Sequence, residues 1–154
     1  MTSSPTPVAK RQTAAVGSLV GIVGIGASAG GLEAFEQFFA RVPQSSGLAY
    51  IVVQHLDPTQ KAMLAQLLQR VTTLSVREAG EQMRVEANHV YVIPPNAELS
   101  LVQGLLHLTR PTEPRGMRLP VNVLFSSLAR DQGASAIGVV LSGMGSDGTL
   151  GCKP

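Results

Sequence analysis

The stretch that most constrains this chain is an apolar run at residues 19–25, Leu-Val-Gly-Ile-Val-Gly-Ile, which passes directly into Gly26-Ala-Ser28-Ala-Gly30-Gly31. An apolar run this short, closed by small residues, reads as a buried strand entering a tight turn. Apolar residues then recur at 32, 35, 38 and 39, the spacing of a helix over 31–41, with Pro43 as its stop. A second apolar run at 49–53 is followed by a helix from 58 to about 70, where Asp57 sits as an N-cap and Pro58 takes the first helical position. Strand, helix, strand, helix in this order is the pattern of a buried parallel sheet.

The middle of the chain changes character. Residues 89–93 read as a strand, and 98–102 and 105–109 flank Gln103-Gly104 as a β-hairpin. The loop Pro111-Thr-Glu-Pro114 leads to a helix from 121 to about 131, ended by Gly133, and 136–141 is a further buried strand running into Ser142-Gly-Met-Gly-Ser-Asp-Gly-Thr149. The expected fold is therefore α/β: a doubly wound, mostly parallel, Rossmann-like sheet with a β-hairpin insertion. At 154 residues and 44% hydrophobic content, one domain is expected. Residues 1–17, rich in Ser, Thr, Pro and Ala without apolar period, read as a disordered leader or linker, and 18–154 as the domain.

Charge and cysteine content exclude several functions. The formal charge is +2 and the 12 Lys and Arg are scattered, so no basic patch for nucleic acid stands out. The single cysteine, Cys152, cannot form an internal disulfide or build a cysteine metal site, which fits a reducing, cytoplasmic compartment and calls for no metal or cofactor. Lys10 and Arg11 before the apolar residues 14–25, closed by Ala27-Ser28-Ala29, imitate a signal peptide, but Gly17, Gly21, Gly24 and Gly26 interrupt the run. No segment reaches the roughly 18 apolar residues of a membrane span, so direct membrane insertion is not expected.

Chemistry can be built from three strand ends. Gly26-Ala-Ser28-Ala-Gly30 is a Gly-x-Ser-x-Gly turn between a strand and a helix, where small neighbours let a hydroxyl stand clear of the sheet and the helix start offers amides to an oxyanion. The same residues also fit a Gly-x-Gly-x-x-Gly/Ala dinucleotide fingerprint beginning at Gly24, or glycines used only for close packing. A dinucleotide site wants an acid at the end of the second strand; this chain has Gln54-His55 there. Asp147, after the last strand, brings a carboxylate to the same edge. Ser28 as nucleophile, His55 as base and Asp147 as the acid that orients it form the expected triad, in an order unlike that of the α/β-hydrolases. Asp147 as a plain helix N-cap is the competing reading. Asp57 is assigned to a cap, Glu33 and Glu36 to helix surface, Asp131 to a helix end, and His89 and His107 to ordinary strand positions in the hairpin region.

Gly24-Ile-Gly-Ala-Ser28-Ala-Gly-Gly31, Gln54-His55-Leu56, Val92-Ile-Pro-Pro-Asn96 and Leu141-Ser-Gly-Met-Gly-Ser-Asp147-Gly, in this order, resemble the chemotaxis methylesterase family, CheB. The resemblance runs from about Val20 to Lys153 and is nearest to esterase domains fused to a receptor methyltransferase. It implies hydrolysis of glutamate γ-methyl esters, with deamidation of some glutamines, on the cytoplasmic helical bundle of methyl-accepting chemoreceptors. A fused or separate receptor methyltransferase is the other implied partner. It further implies Ser28, His55 and Asp147 as triad, Met144 near the site with its amide as an oxyanion donor, and Ala29 and Gly30 in the active-site turn. Two departures stand out: Ala29 replaces a threonine common in the family, and the chain stops at Pro154 where the family continues, so a C-terminally truncated domain is expected. A receiver domain before Leu19 is not expected. A catalytically inactive docking module of the same fold is the alternative function, and nucleotide binding the least favoured.

Overall fold

The computed structural model describes residues 18–28, 31–54, 63–114 and 119–142. The proposed leader, 1–17, lies outside the described residues, as do His55, Asp57, Pro58, Met144 and Asp147. Five strands form one wholly parallel sheet: β1 (Gly21–Ala27), β2 (Leu48–Gln54), β3 (Ser75–Glu78), β4 (His89–Val92) and, closing the described chain, β7 (Ala136–Ser142). Their order is β3-β4-β2-β1-β7, which puts β1 between β2 and β7. β5 (Glu98–Val102) and β6 (Leu105–Thr109) form a separate antiparallel hairpin. The doubly wound α/β fold with a hairpin insertion is thus present.

Side chains alternate across the sheet, and each face has its own core. On one face, Val23, Ile25 and Ala27 of β1 pack with Phe35 and Phe39 of α1 (Leu32–Phe39) and Leu64 and Leu68 of α2 (Leu64–Gln69). Phe35 and Phe39 are four residues apart and so share a helix face; Phe39 meets Tyr50 of β2 edge to face at 5.7 Å between centroids. On the other face, Ile22 and Ile51 meet Val121, Leu124, Phe125 and Leu128 of α3 (Pro120–Gln132), together with Leu99, Leu101 and Leu106 of the hairpin. Burying each of these side chains contributes about 1.5–3 kcal/mol.

Three details qualify the sequence expectations. Of the helix expected from 58 to about 70, residues 58–62 lie outside the described set, and the described helix is Leu64–Gln69 with Met63 at its N-cap, the Leu67 amide donating to the Met63 carbonyl at 2.9 Å. β3 was not expected at all; Ser-Val-Arg-Glu carries no apolar run because it is an edge strand with only Val76 partly buried. His89 opens β4 inside the parallel sheet, in register with Ser75, and is not part of the hairpin region.

The hairpin is tied to α3 at both ends of the helix's last two turns. Its two-residue tip, Gln103 and Gly104, has positive φ at both positions, 52° and 73°, as the tight turn between twisted strands requires. The Asp131 carboxylate accepts hydrogen bonds from both tip amides, that of Gly104 at 3.0 Å, and the Leu101 amide donates to Ser127 Oγ at 3.0 Å. Asp131 is therefore a tertiary clamp as well as a residue near a helix end. Burial raises its pKa, yet hydrogen bonds from the Gln132 side chain and the Gly104 and Gln103 amides outweigh this and hold the carboxyl below its ordinary value.

Candidate active site

β1 supplies the centre of the site because it lies between β2 and β7, where the strand order along the sheet reverses. In an open parallel sheet ligands gather at the carboxyl ends of the strands, next to such a reversal. Ala27, the last residue of β1, is in register with Gln54, the last of β2, on one side and with Ser142, the last of β7, on the other. Three strands therefore end at one level. Ser28 is the next residue after Ala27, His55 follows Gln54 in the sequence, and Ser142 leads into the segment that contains Met144 and Asp147. β7 reaches this level through a register shift: Gly26 pairs with Val140 but Ala27 with Ser142, so Leu141 is the extra residue of a bulge.

Ser28 itself is partly buried, and its carbonyl is held from two directions. The Gly31 amide donates to it at 2.9 Å, closing a turn, and the Gln54 side-chain amide donates to it at 3.1 Å. Gly31 then starts α1, its carbonyl accepting the Phe35 amide at 3.0 Å. Gln54 is only 7% exposed. Sequence reasoning gave it no role of its own, naming it only beside His55 in the place of a ribose-binding acid and in the Gln-His-Leu motif. The signal was available: in Leu-Ala-Tyr-Ile-Val-Val-Gln, a strand buried on both faces, the one amide side chain stands at the carboxyl end.

The glycines before Ser28 have a packing role. A Cβ on Gly24 would lie 3.0 Å from Leu128 Cδ2, and one on Gly26 would lie 2.6 Å from Val121 Cγ2. Gly138, on the neighbouring strand, faces Phe125 in the same way, at 3.1 Å. These positions are glycine because α3 lies directly on the strands, which is the close-packing reading of the motif. The α3 side of Gly24 and Gly26 is filled by protein.

Of the residues expected at the site, Ser28 is the one within the described set; His55, Asp147, Met144, Ala29 and Gly30 lie outside it. Among the described residues no group of three metal-ligating side chains occurs, and no helix is long and apolar enough to cross a membrane. His107 hydrogen-bonds Glu81 at 3.0 Å, and His89, at the amino end of β4, hydrogen-bonds the Ala87 carbonyl at 2.8 Å. A groove of about 450 Å³ opens beside α1, lined among the described residues by Phe38, Arg41 and Leu141 with others, and Ser28 is not one of them.

Comparison with known proteins gives a consistent picture. The model of the CheB methylesterase family matches residues 23–154. The chain is 36% identical over 140 residues to a protein-glutamate methylesterase/protein-glutamine glutaminase of Methanosarcina acetivorans, covering 86% of this chain and 39% of that protein. It is 34% identical over 154 residues to the corresponding protein of Salmonella typhimurium, covering 94% of this chain and 43% of the relative. The chain thus spans less than half the length of these curated relatives. Among solved structures it resembles the Thermotoga maritima CheB methylesterase catalytic domain, with a TM-score of 0.76 and 30% identity over 85% of this chain and 71% of that one.

Proposed function

The chain belongs to the CheB methylesterase family, and from that premise we propose that it hydrolyses glutamate γ-methyl esters on chemoreceptors through Ser28, His55 and Asp147. The observation that supports this best is the shared level of three strand ends, with Ala27 in register with both Gln54 and Ser142. Nucleophile, base and acid then follow from adjacent strands. The curated relatives carry the name protein-glutamate methylesterase/protein-glutamine glutaminase, which extends the reading to deamidation of glutamine.

The chemistry is acyl transfer. His55 takes the Ser28 proton as Oγ attacks the γ-carbonyl, and the tetrahedral intermediate collapses when His55 returns that proton to the departing methoxide, releasing methanol. Water, deprotonated by His55, attacks the acyl-enzyme; the collapse frees the glutamate carboxyl and restores the Ser28 hydroxyl. With a glutamine substrate, ammonia leaves in place of methanol. Asp147 holds the imidazole tautomer and stabilises its cation. Amides at Ala29 and Gly30 and that of Met144 receive the oxyanion, each contributing about 3 kcal/mol in the transition state. The partner is the cytoplasmic helical bundle of a methyl-accepting receptor, which places the protein in the cytoplasm beside a receptor methyltransferase, fused or separate.

Ser28→Ala tests the reading. Methanol release from methylated receptor should fall by about 10⁴-fold or more, and labelling by a fluorophosphonate should vanish, with the unfolding midpoint unchanged. Full activity in this variant would overturn the assignment. A labelled wild type also separates a hydrolase from a docking module, which has no use for an activated serine.

A further inference from the structure

We infer that Gln54 is a positioning residue of the reaction, one that holds the nucleophile's backbone and links it to the strand end carrying the base. This rests on the reading of Ser28 and His55 given above and adds a member that acts through Ser28. Gln54 closes β2, where the side chains from Ala49 to Val53 are all buried and, but for the Tyr50 hydroxyl, apolar. An amide in such a place carries a desolvation cost that an aliphatic residue would not, unless its hydrogen bonds are made. Its Nε2 donates to the Ser28 carbonyl at 3.1 Å, across the register pair Ala27 and Gln54.

Two consequences follow from that one bond. With the Gly31 amide on the same oxygen, at 2.9 Å, the Ser28 carbonyl is held by donors from two different elements. A peptide unit is planar, so fixing this carbonyl fixes the ψ angle of Ser28, hence the direction of its Cβ, and fixes the plane of the peptide leaving the nucleophile. The amide of that peptide is the usual oxyanion donor in a Gly-x-Ser-x-Gly turn. The second consequence is lateral. Gln54 immediately precedes His55 in the chain, so its backbone belongs to the strand end of the base while its side chain grips the turn of the nucleophile. The spacing between the two reacting groups is thereby set through a part-buried hydrogen bond between the two strand ends.

The test uses the full chain, methylated chemoreceptor as substrate and rates expressed per site titrated with a fluorophosphonate. Gln54→Met removes the donor at similar volume, and Gln54→Glu keeps the length but presents only acceptors to the carbonyl. Both should lower kcat by about 10- to 100-fold with KM within about two-fold of wild type. A merely structural role would lower the folded fraction and leave kcat per titrated site at the wild-type value, and that result would overturn the inference. If neither variant folds, side-chain amide exchange in wild type decides: the Gln54 NH₂ protons should exchange far more slowly than those of exposed Gln37, and equal rates would refute the bond. Should Ser28→Ala retain full activity, the proposed function itself fails; should activity depend on Ser28 but not on Gln54, only the present inference does.

Discussion

Val121 of α3 stands over Gly26 of β1 so closely that a Cβ on Gly26 would fall 2.6 Å from Val121 Cγ2. The strand that leads into Ser28 is therefore pinned to the helix behind it by an absence of side chain. Gly26→Ala should destabilise the protein by about 1–3 kcal/mol, since a tightly packed interface has no room to yield. Urea unfolding measures this, and adding Val121→Ala should recover part of the loss, because the two positions share one contact. A Gly26→Ala protein as stable as wild type would show that close packing is not what requires the glycine.

The same contact bears on nucleotide binding. Gly24 and Gly26 match a dinucleotide fingerprint in sequence, yet their α3 side is taken by Leu128, Phe125 and Val121. NAD at a large excess should leave the melting temperature unchanged. A real site filled to 100 times its Kd would add about 2.7 kcal/mol, a shift of several degrees, and such a shift would reinstate the nucleotide reading.

Asp131 holds the hairpin tip against α3 through the Gln103 and Gly104 amides. Asp131→Ala should cost about 1 kcal/mol, a hydrogen-bonded charge discounted for its solvent exposure. Hydrogen exchange at the Gln103 and Gly104 amides should accelerate more than exchange in β1, since the damage is confined to the clamp.

Acid should weaken the hairpin's attachments in a defined direction. The Leu108 amide, which donates to Glu81 at 2.6 Å, lowers the pKa of that carboxyl; burial works the other way, and His107 adds a further lowering. Asp131 is also held below its ordinary value. A carboxyl with a lower pKa folded than unfolded adds stability that is fully present above its unfolded value, near 4, and is lost as pH falls through the lower folded value. Unfolding free energy should therefore decline on acidification below about pH 4–5. The decline should be shallower in Glu81→Gln/Asp131→Asn; an identical slope in this double variant would remove these two groups from the account.

Much of the architecture was legible along the chain. Apolar runs at helical and strand spacing gave β1, β2, β7 and α1 to within two or three residues, and the hairpin strands at 98–102 and 105–109 agree with β5 and β6 residue for residue, because a Gln-Gly tip between alternating side chains is a local signal. β3 was invisible because an exposed edge strand has no apolar face to display. Of the site, Ser28 could be picked out from its turn, but not the two donors that fix its carbonyl.

What the sequence determined alone is whatever depends on neighbours in the chain: the alternation of strands and helices, the turn around Ser28, the stop at Gly133, and the four spaced motifs that mark the family. What only the tertiary structure decided is which residues meet across elements. Gly24 and Gly26 could serve a phosphate or a helix, and the choice was made by α3, roughly a hundred residues later, lying on them. Asp131 reads in the sequence as a helix end, and the hairpin tip makes it a clamp as well. Gln54 acquired its partner only when parallel pairing set it level with Ala27. Local propensity acts over a few residues, whereas register and packing bring together groups that no sequence window contains.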